Sequence, residues 1–135
     1  MNNLIHFESD DFYTADGAKG KVLCCNVEGI CLVIFHADGG ICAHCDEAIP
    51  EIKKAARMIG SIKFGMCNLN RNPDIIKLSK TTIAPLEYVP YMILYVNGRP
   101  FLRYEGDRTA QDIAEFLQEI DIEGSNGKIR LMIVK

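Results

Sequence analysis

Two unbroken apolar runs dominate the chain, Ile30-Cys31-Leu32-Val33-Ile34-Phe35 and Tyr91-Met92-Ile93-Leu94-Tyr95-Val96. A strand with one wet face alternates apolar and polar side chains, so runs that do not alternate predict central strands covered on both faces. After the first run the period changes. From Ala43 to Ile59 the apolar positions Cys45, Ile49, Ile52, Ala56 and Ile59 recur at steps of four and three, with Glu47, Glu51, Lys54 and Arg57 elsewhere, which predicts an amphipathic helix. Pro50 should kink that helix and Gly60 should end it.

Weaker patterns fill in the remaining elements. Asn3 to Phe7 is a short edge-strand candidate, and Ser9-Asp10-Asp11 is a turn or helix-start signal. Thr14 to Gly20 reads as loop and Lys21 to Val27 as a strand, ended by Glu28-Gly29. Ile62 to Asn68 is another strand; Asn72-Pro73 then supplies an N-cap and a first-turn proline for a short helix to about Lys80. Thr81 to Tyr88 is an irregular loop ending in Val89-Pro90. Asn97-Gly98 turns the second apolar run into Pro100 to Tyr104, where the proline predicts an edge strand. Thr109 caps a last helix with the stripe Ile113, Phe116, Leu117 and Ile120. Glu123 to Gly127 reads as a turn or linker, and Lys128 to Lys135 as an added strand, apolar on both faces. That strand should be covered, either by a sheet edge such as Val22 to Val27 or by another chain. The division expected is a domain over 1–122 and an extension over 123–135.

The candidate chemistry lies where the first apolar run meets the helix, at Asp38-Gly39-Gly40-Ile41-Cys42-Ala43-His44-Cys45. With a helix starting near Ala43, Cys42 stands at its N-terminal edge, where unpaired N–H groups and the helix dipole favour a thiolate. Cys45 lies one turn on, placed to resolve a mixed disulfide formed at Cys42. A Cys-x-x-Cys pair is equally half of a zinc site, with Cys24-Cys25 as its other half. Of the other cysteines, Cys31 and Cys67 lie inside apolar strands as inert core residues. Neighbours on a strand point to opposite faces, so one of Cys24 and Cys25 is expected at the surface. His36 is expected to pack near the active-site loop.

Composition narrows the function classes. The chain has 135 residues, 48% hydrophobic and 24% charged, enough for one domain with its own core. A net charge of −3 without a basic cluster argues against nucleic acid as the main partner. No segment reads as a membrane span, and the first residues lack the pattern of a secretory signal, which predicts a cytoplasmic protein with most of its six cysteines reduced.

From the Lys21 strand onward the order β–β–α–β–α–β–β–α, with Cys-x-x-Cys at the first long helix, resembles the thioredoxin family over roughly Leu4 to Ile120. Pro50 follows Cys45 by five residues, as the family's helix proline does; Asn68 to Pro73 resembles its strand-to-helix junction; and Val89-Pro90 stands where the family has a cis-proline. The stretch Thr82 to Tyr91 is similar to thioredoxin-domain proteins of large nucleocytoplasmic DNA viruses. The resemblance implies an α/β, thioredoxin-like three-layer fold, a central mixed sheet flanked by helices, here with an extra C-terminal strand. It implies thiol–disulfide exchange without any cofactor beyond the dithiol, with Cys42 as nucleophile, Cys45 as resolving thiol, and Ile41, Val89 and Pro90 as the surface where a protein substrate lies. His44 stands where thioredoxins have proline, as in protein disulfide isomerase. It is expected to stabilise the Cys42 thiolate and so make the disulfide more oxidising, about −180 to −120 mV for such members against about −270 mV for thioredoxin.

Two departures qualify the implied activity. The tryptophan before the first cysteine is replaced by Gly39-Gly40-Ile41, which lengthens the loop and removes one recognition surface. Ile34 stands where the family has a buried acid, so proton transfer from Cys45 should be slower. The competing function is a thioredoxin-fold structural or interaction module, such as a minor virion component, docking a partner through the C-terminal strand or the Thr82 to Tyr88 loop.

Overall fold

The computed structural model describes residues 3–125. Its central strand is β4 (Ile30–His36), the first apolar run, and the sequence pattern there becomes packing on two sides. Leu32 and Ile34 point into one buried cluster, while Cys31, Val33 and Phe35 point into the other. Around it form β1 (Leu4–Phe7), β5 (Lys63–Asn68), β6 (Tyr91–Val96) and β7 (Arg99–Tyr104), in the order β1-β5-β4-β6-β7. The strands β1, β5 and β4 are parallel, and β6 and β7 antiparallel, so the sheet is mixed.

The helices α1 (Ala43–Met58) and α3 (Ala110–Ser125) cover the Leu32/Ile34 face. Ala48, Ala55 and Ala56 join Cys45 and Ile52 on the buried side of α1, and their small side chains let the helix lie close to the sheet. Pro50 is exposed, and the helix continues through it. The helix α2 (Pro73–Ser79) and an antiparallel hairpin, β2 (Phe12–Gly17) with β3 (Gly20–Cys25), cover the other face. The result is the expected three-layer α/β fold. On β5, a Cβ at Gly65 would overlap the Phe7 ring at Cε2, so the packing of Phe7 on the sheet requires glycine there.

Several expectations are corrected. Residues 14–17, read as loop, pair with β3 across Thr14–Leu23 and Ala15–Val22, because the hairpin is held by tertiary packing that its polar residues do not signal. Cys24 and Cys25 are both fully buried, since β3 is flanked by β2 on one side and approaches β7 on the other, where Cys25 N–H donates to Gly98 O at 2.8 Å. The β3 edge is therefore largely taken, and Ile83 N–H also donates to Lys21 O at 2.9 Å. Asn72 occupies the N-cap position of α2, but its side chain makes no cap bond. It accepts from the Ser9 N–H at 2.9 Å and hydroxyl at 3.0 Å, and donates to Glu8 Oε2 at 2.7 Å and Asn68 O at 3.0 Å. Helix α3 runs to Ser125, through the first part of the turn expected at Glu123. The expected tail strand, Lys128 to Lys135, lies outside the described residues.

Other signals act as read. Thr109 Oγ1 accepts the Asp112 N–H at the start of α3, and Asn97-Gly98 closes the β6–β7 hairpin. Pro100 falls on the edge strand opposite Tyr95, where the register shifts and a missing N–H is tolerated. Among the described residues no helix is long and apolar enough to cross a membrane.

Candidate redox site

Chain leaving the carboxyl end of β4 must turn into α1, and the loop at 37–42 does so through Gly39 and Gly40, both at positive φ (82° and 78°). Side chains other than glycine are strained in that region, so the pair sets the loop's path. Asn70, from the loop after β5, anchors it by donating to Asp38 O at 2.8 Å and to Asp38 Oδ1 at 3.3 Å. Hydrogen bonds from Asn70 and Asn68 hold the Asp38 carboxyl below the usual carboxylate range. This anchor was missed in the sequence, where only the run of asparagines at 68, 70 and 72 marks it.

The loop delivers Cys42 to the N-cap of α1, where its Sγ accepts the Cys45 N–H at 3.1 Å. Cys42 and Cys45 are joined as a disulfide with Cα atoms 5.2 Å apart. Cys45 is fully buried, whereas Cys42 retains 8% of its surface and is the sulfur nearer to solvent. Both pack with Ala37, and Val89 and Ile49 close the cluster. Val89 precedes a cis peptide bond to the buried Pro90. The start of β6 is packed from outside: the Tyr88 and Tyr91 rings lie tilted against each other with centroids 5.1 Å apart, and the Arg103 guanidinium lies 5.4 Å from the Tyr91 ring centroid.

The structure thus gathers Cys42, Cys45 and Val89 into one cluster, with Pro90 adjoining Val89 and Ile41 preceding Cys42. Ile41 is 72% exposed, an apolar side chain standing in water next to Cys42 in the chain. His44 is exposed on the first turn of α1, its Nδ1 4.0 Å from Glu47 Oε2. It faces a cleft of about 520 Å³ shared with Glu51, Glu105, Asp107 and Arg108. Ile34 is fully buried in the apolar cluster under α1, so the position of the family's buried acid carries no proton acceptor. Cys25 belongs to a separate core cluster from the Cys42–Cys45 pair, which sets the two halves of the zinc arrangement apart. No group of three or more His, Cys, Asp or Glu is arranged to hold a metal ion among the described residues.

Comparison with known proteins agrees with this geometry. The chain is 33% identical over 92 residues to the uncharacterized protein 196R of Invertebrate iridescent virus 6, covering 68% of this chain and 52% of that one. It is 30% identical over 120 residues to the uncharacterized protein 020R of Invertebrate iridescent virus 3, covering 84% and 70%. The chain therefore spans about half the length of the first relative. Both relatives are viral, in keeping with the narrower resemblance of the Thr82 to Tyr91 stretch. Among solved structures, the zinc-bound form of human ERp44 superposes with a TM-score of 0.65 at 16% identity, covering 86% of this chain and 30% of that one. The J-Trx1 fragment of ERdj5 superposes at 0.62 and 16%, covering 87% and 51%. With a match to the thioredoxin family model across residues 21–119, on a mixed sheet whose central strand leads into a helix-capping Cys-x-x-Cys disulfide, the chain belongs to the thioredoxin family.

Proposed function

We propose that this chain is a thiol–disulfide oxidoreductase acting on protein cysteines through Cys42 and Cys45. The observation that carries the proposal is the Cys42 Sγ at the N-cap of a 16-residue helix, accepting the Cys45 N–H while its partner sulfur is fully buried. In the reduced protein the same N–H and the positive helix end favour a thiolate at Cys42. That thiolate attacks one sulfur of a partner's disulfide, expelling the other partner sulfur as a thiolate that takes up a proton. Cys45, once deprotonated, attacks Cys42 Sγ and releases the second partner thiol. Two electrons pass to the partner and Cys42–Cys45 is left oxidised; the reverse sequence oxidises a partner dithiol.

Ile34 offers no proton acceptor beneath Cys45, so resolution is the slow step in the reductive direction. His44, when protonated, adds positive charge on the first turn of α1 and favours the reduced, thiolate form. Ile41, Val89 and Pro90 supply the surface on which the partner's chain lies. A second reading is a docking module without turnover, favoured by the exposed Ile83 and Tyr88 on the loop before Pro90. Insulin-disulfide reduction and oxidation of a reduced protein substrate, run on wild type, Cys42→Ser and Cys45→Ser, separate the two. The redox reading expects turnover only in the wild type and a mixed disulfide accumulating on Cys45→Ser. Wild-type activity no greater than that of Cys42→Ser would leave the docking module.

A further inference from the structure

The carboxyl ends of the three parallel strands lie side by side, because Phe7 pairs with Cys67 and Asn68 with His36. A cleft of about 140 Å³ opens at these ends, lined in part by His6, Glu8, His36, Asn68 and Arg71. Open sheets with parallel strands place ligands at this end. At about 30 Å³ per water, the space suits a few waters or one tetrahedral ion, and is too small for a nucleotide.

His36 is the unexplained group here. It follows Leu32 and Ile34 on the apolar face of β4, where the pattern calls for another aliphatic residue. Its side chain is only 7% exposed, and its Nδ1 has no hydrogen-bond partner among the described residues. A buried polar group without a partner is unfavourable, and its presence calls for a compensating role. Arg71 is exposed at the rim and forms no salt bridge among the described residues. The lining carboxylate is already engaged, since Glu8 accepts from Asn72 Nδ2 at 2.7 Å and from the backbone of Asp11. The Asp38 carboxylate is likewise held, by Asn70 and Asn68.

We propose that this cleft binds a small tetrahedral oxyanion of the phosphate or sulfate class, with Arg71 as the charged clamp and His6 and His36 as further donors. A planar guanidinium matches two oxygens of such an ion. The site goes beyond the redox reading and does not depend on it. Burial holds His36 below the ordinary histidine range, with Asp38 on the loop opposing that shift and His6 on β1 and Lys53 on α1 adding to it. Together with Glu8 and Arg71 in the lining, these are the charged groups that face the imidazole. A bound anion favours the imidazolium, so binding takes up a proton and strengthens as pH falls from about 8 to about 5.

The test is an NMR titration of the full chain with sodium sulfate, whose charge is constant over this range, against sodium chloride at matched ionic strength. The expected result is a saturable shift confined to residues 6–8, 36 and 68–71. Arg71→Gln, at an exposed position that leaves the fold intact, should weaken binding about tenfold or more. The double variant His6→Gln/His36→Leu should remove the pH dependence. A response to sulfate no different from that to chloride, or unchanged affinity in Arg71→Gln, would overturn the proposal. Inorganic phosphate against phenyl phosphate distinguishes a free ion from a phosphoryl group on a larger molecule; saturable binding of either upholds the oxyanion site, and the tighter one names its source.

Discussion

Replacing Asn72 by alanine should unfold the junction that holds β1 to α2, although the side chain touches neither cysteine. Asn72 is 5% exposed, and its amide makes four hydrogen bonds, two from Ser9 and one each to Glu8 and Asn68. The Ser9 and Glu8 bonds join residues more than sixty positions apart, so no local structure replaces them. A neutral hydrogen bond contributes about 0.5–1.5 kcal/mol net, and a buried group left unpaired costs about 1–3 kcal/mol. Asn68 O also accepts the Asn72 backbone N–H at 3.1 Å, and Ser9 and Glu8 reach water in part, so neither limit applies to all four. The expected loss is about 2–3 kcal/mol, read as a lower urea midpoint with an unchanged slope. Asp74→Ala, exposed on the first turn of the same helix, should cost under about 0.5 kcal/mol. If Asn72→Ala fell within the same range, the side chain would not be the tie between the end of β1 and α2 described above.

The buried thiols give a second prediction: burial pushes Cys31 and Cys67 up to about 12 and raises Cys25 still further. Raised in the folded state against about 9 unfolded, they cost nothing below pH 9 but favour unfolding as pH climbs from 9 towards 12, so native stability should fall across that window. Iodoacetamide should leave them unlabelled at neutral pH until denaturant is added, and ready labelling of the native protein would contradict their burial. A third concerns recognition: Ile41→Asp should lower kcat/KM on protein disulfides several-fold while leaving a small aromatic disulfide within about twofold. Equal losses on both would place Ile41 in the chemistry rather than the docking surface.

Much of this architecture is legible in the residues, for physical reasons that also mark the limit. Ile30 to Phe35 announces a strand covered on both faces because every side chain is apolar, and Asn97-Gly98 announces its hairpin because few other pairs adopt that turn. Cys42 marks the candidate redox site because its place before a helix favours a thiolate. The β2 strand was not legible, since Thr14, Asp16 and Gly17 carry no pattern and their order comes from pairing with β3. The burial of Cys24 depends on β7 approaching from some seventy residues away. Asn72 reads as a helix cap, and only the approach of Ser9 and Glu8 turns its amide elsewhere. His36 looks like a packing residue until β1 and β5 bring their own ends beside it.

The division of roles between the two sulfurs is the most exposed part of the account, and one labelling experiment reaches it. The reduced protein is treated with a limiting amount of iodoacetamide at a series of pH values that includes neutral pH, and the modified peptides are quantified by mass spectrometry. Cys42, at the helix N-cap and the less buried of the pair, should be alkylated first and with a midpoint below the ordinary thiol value, with Cys45 following only after unfolding. Preferential alkylation of Cys45, or equal rates with an ordinary midpoint for both, would contradict the assignment of Cys42 as the nucleophile.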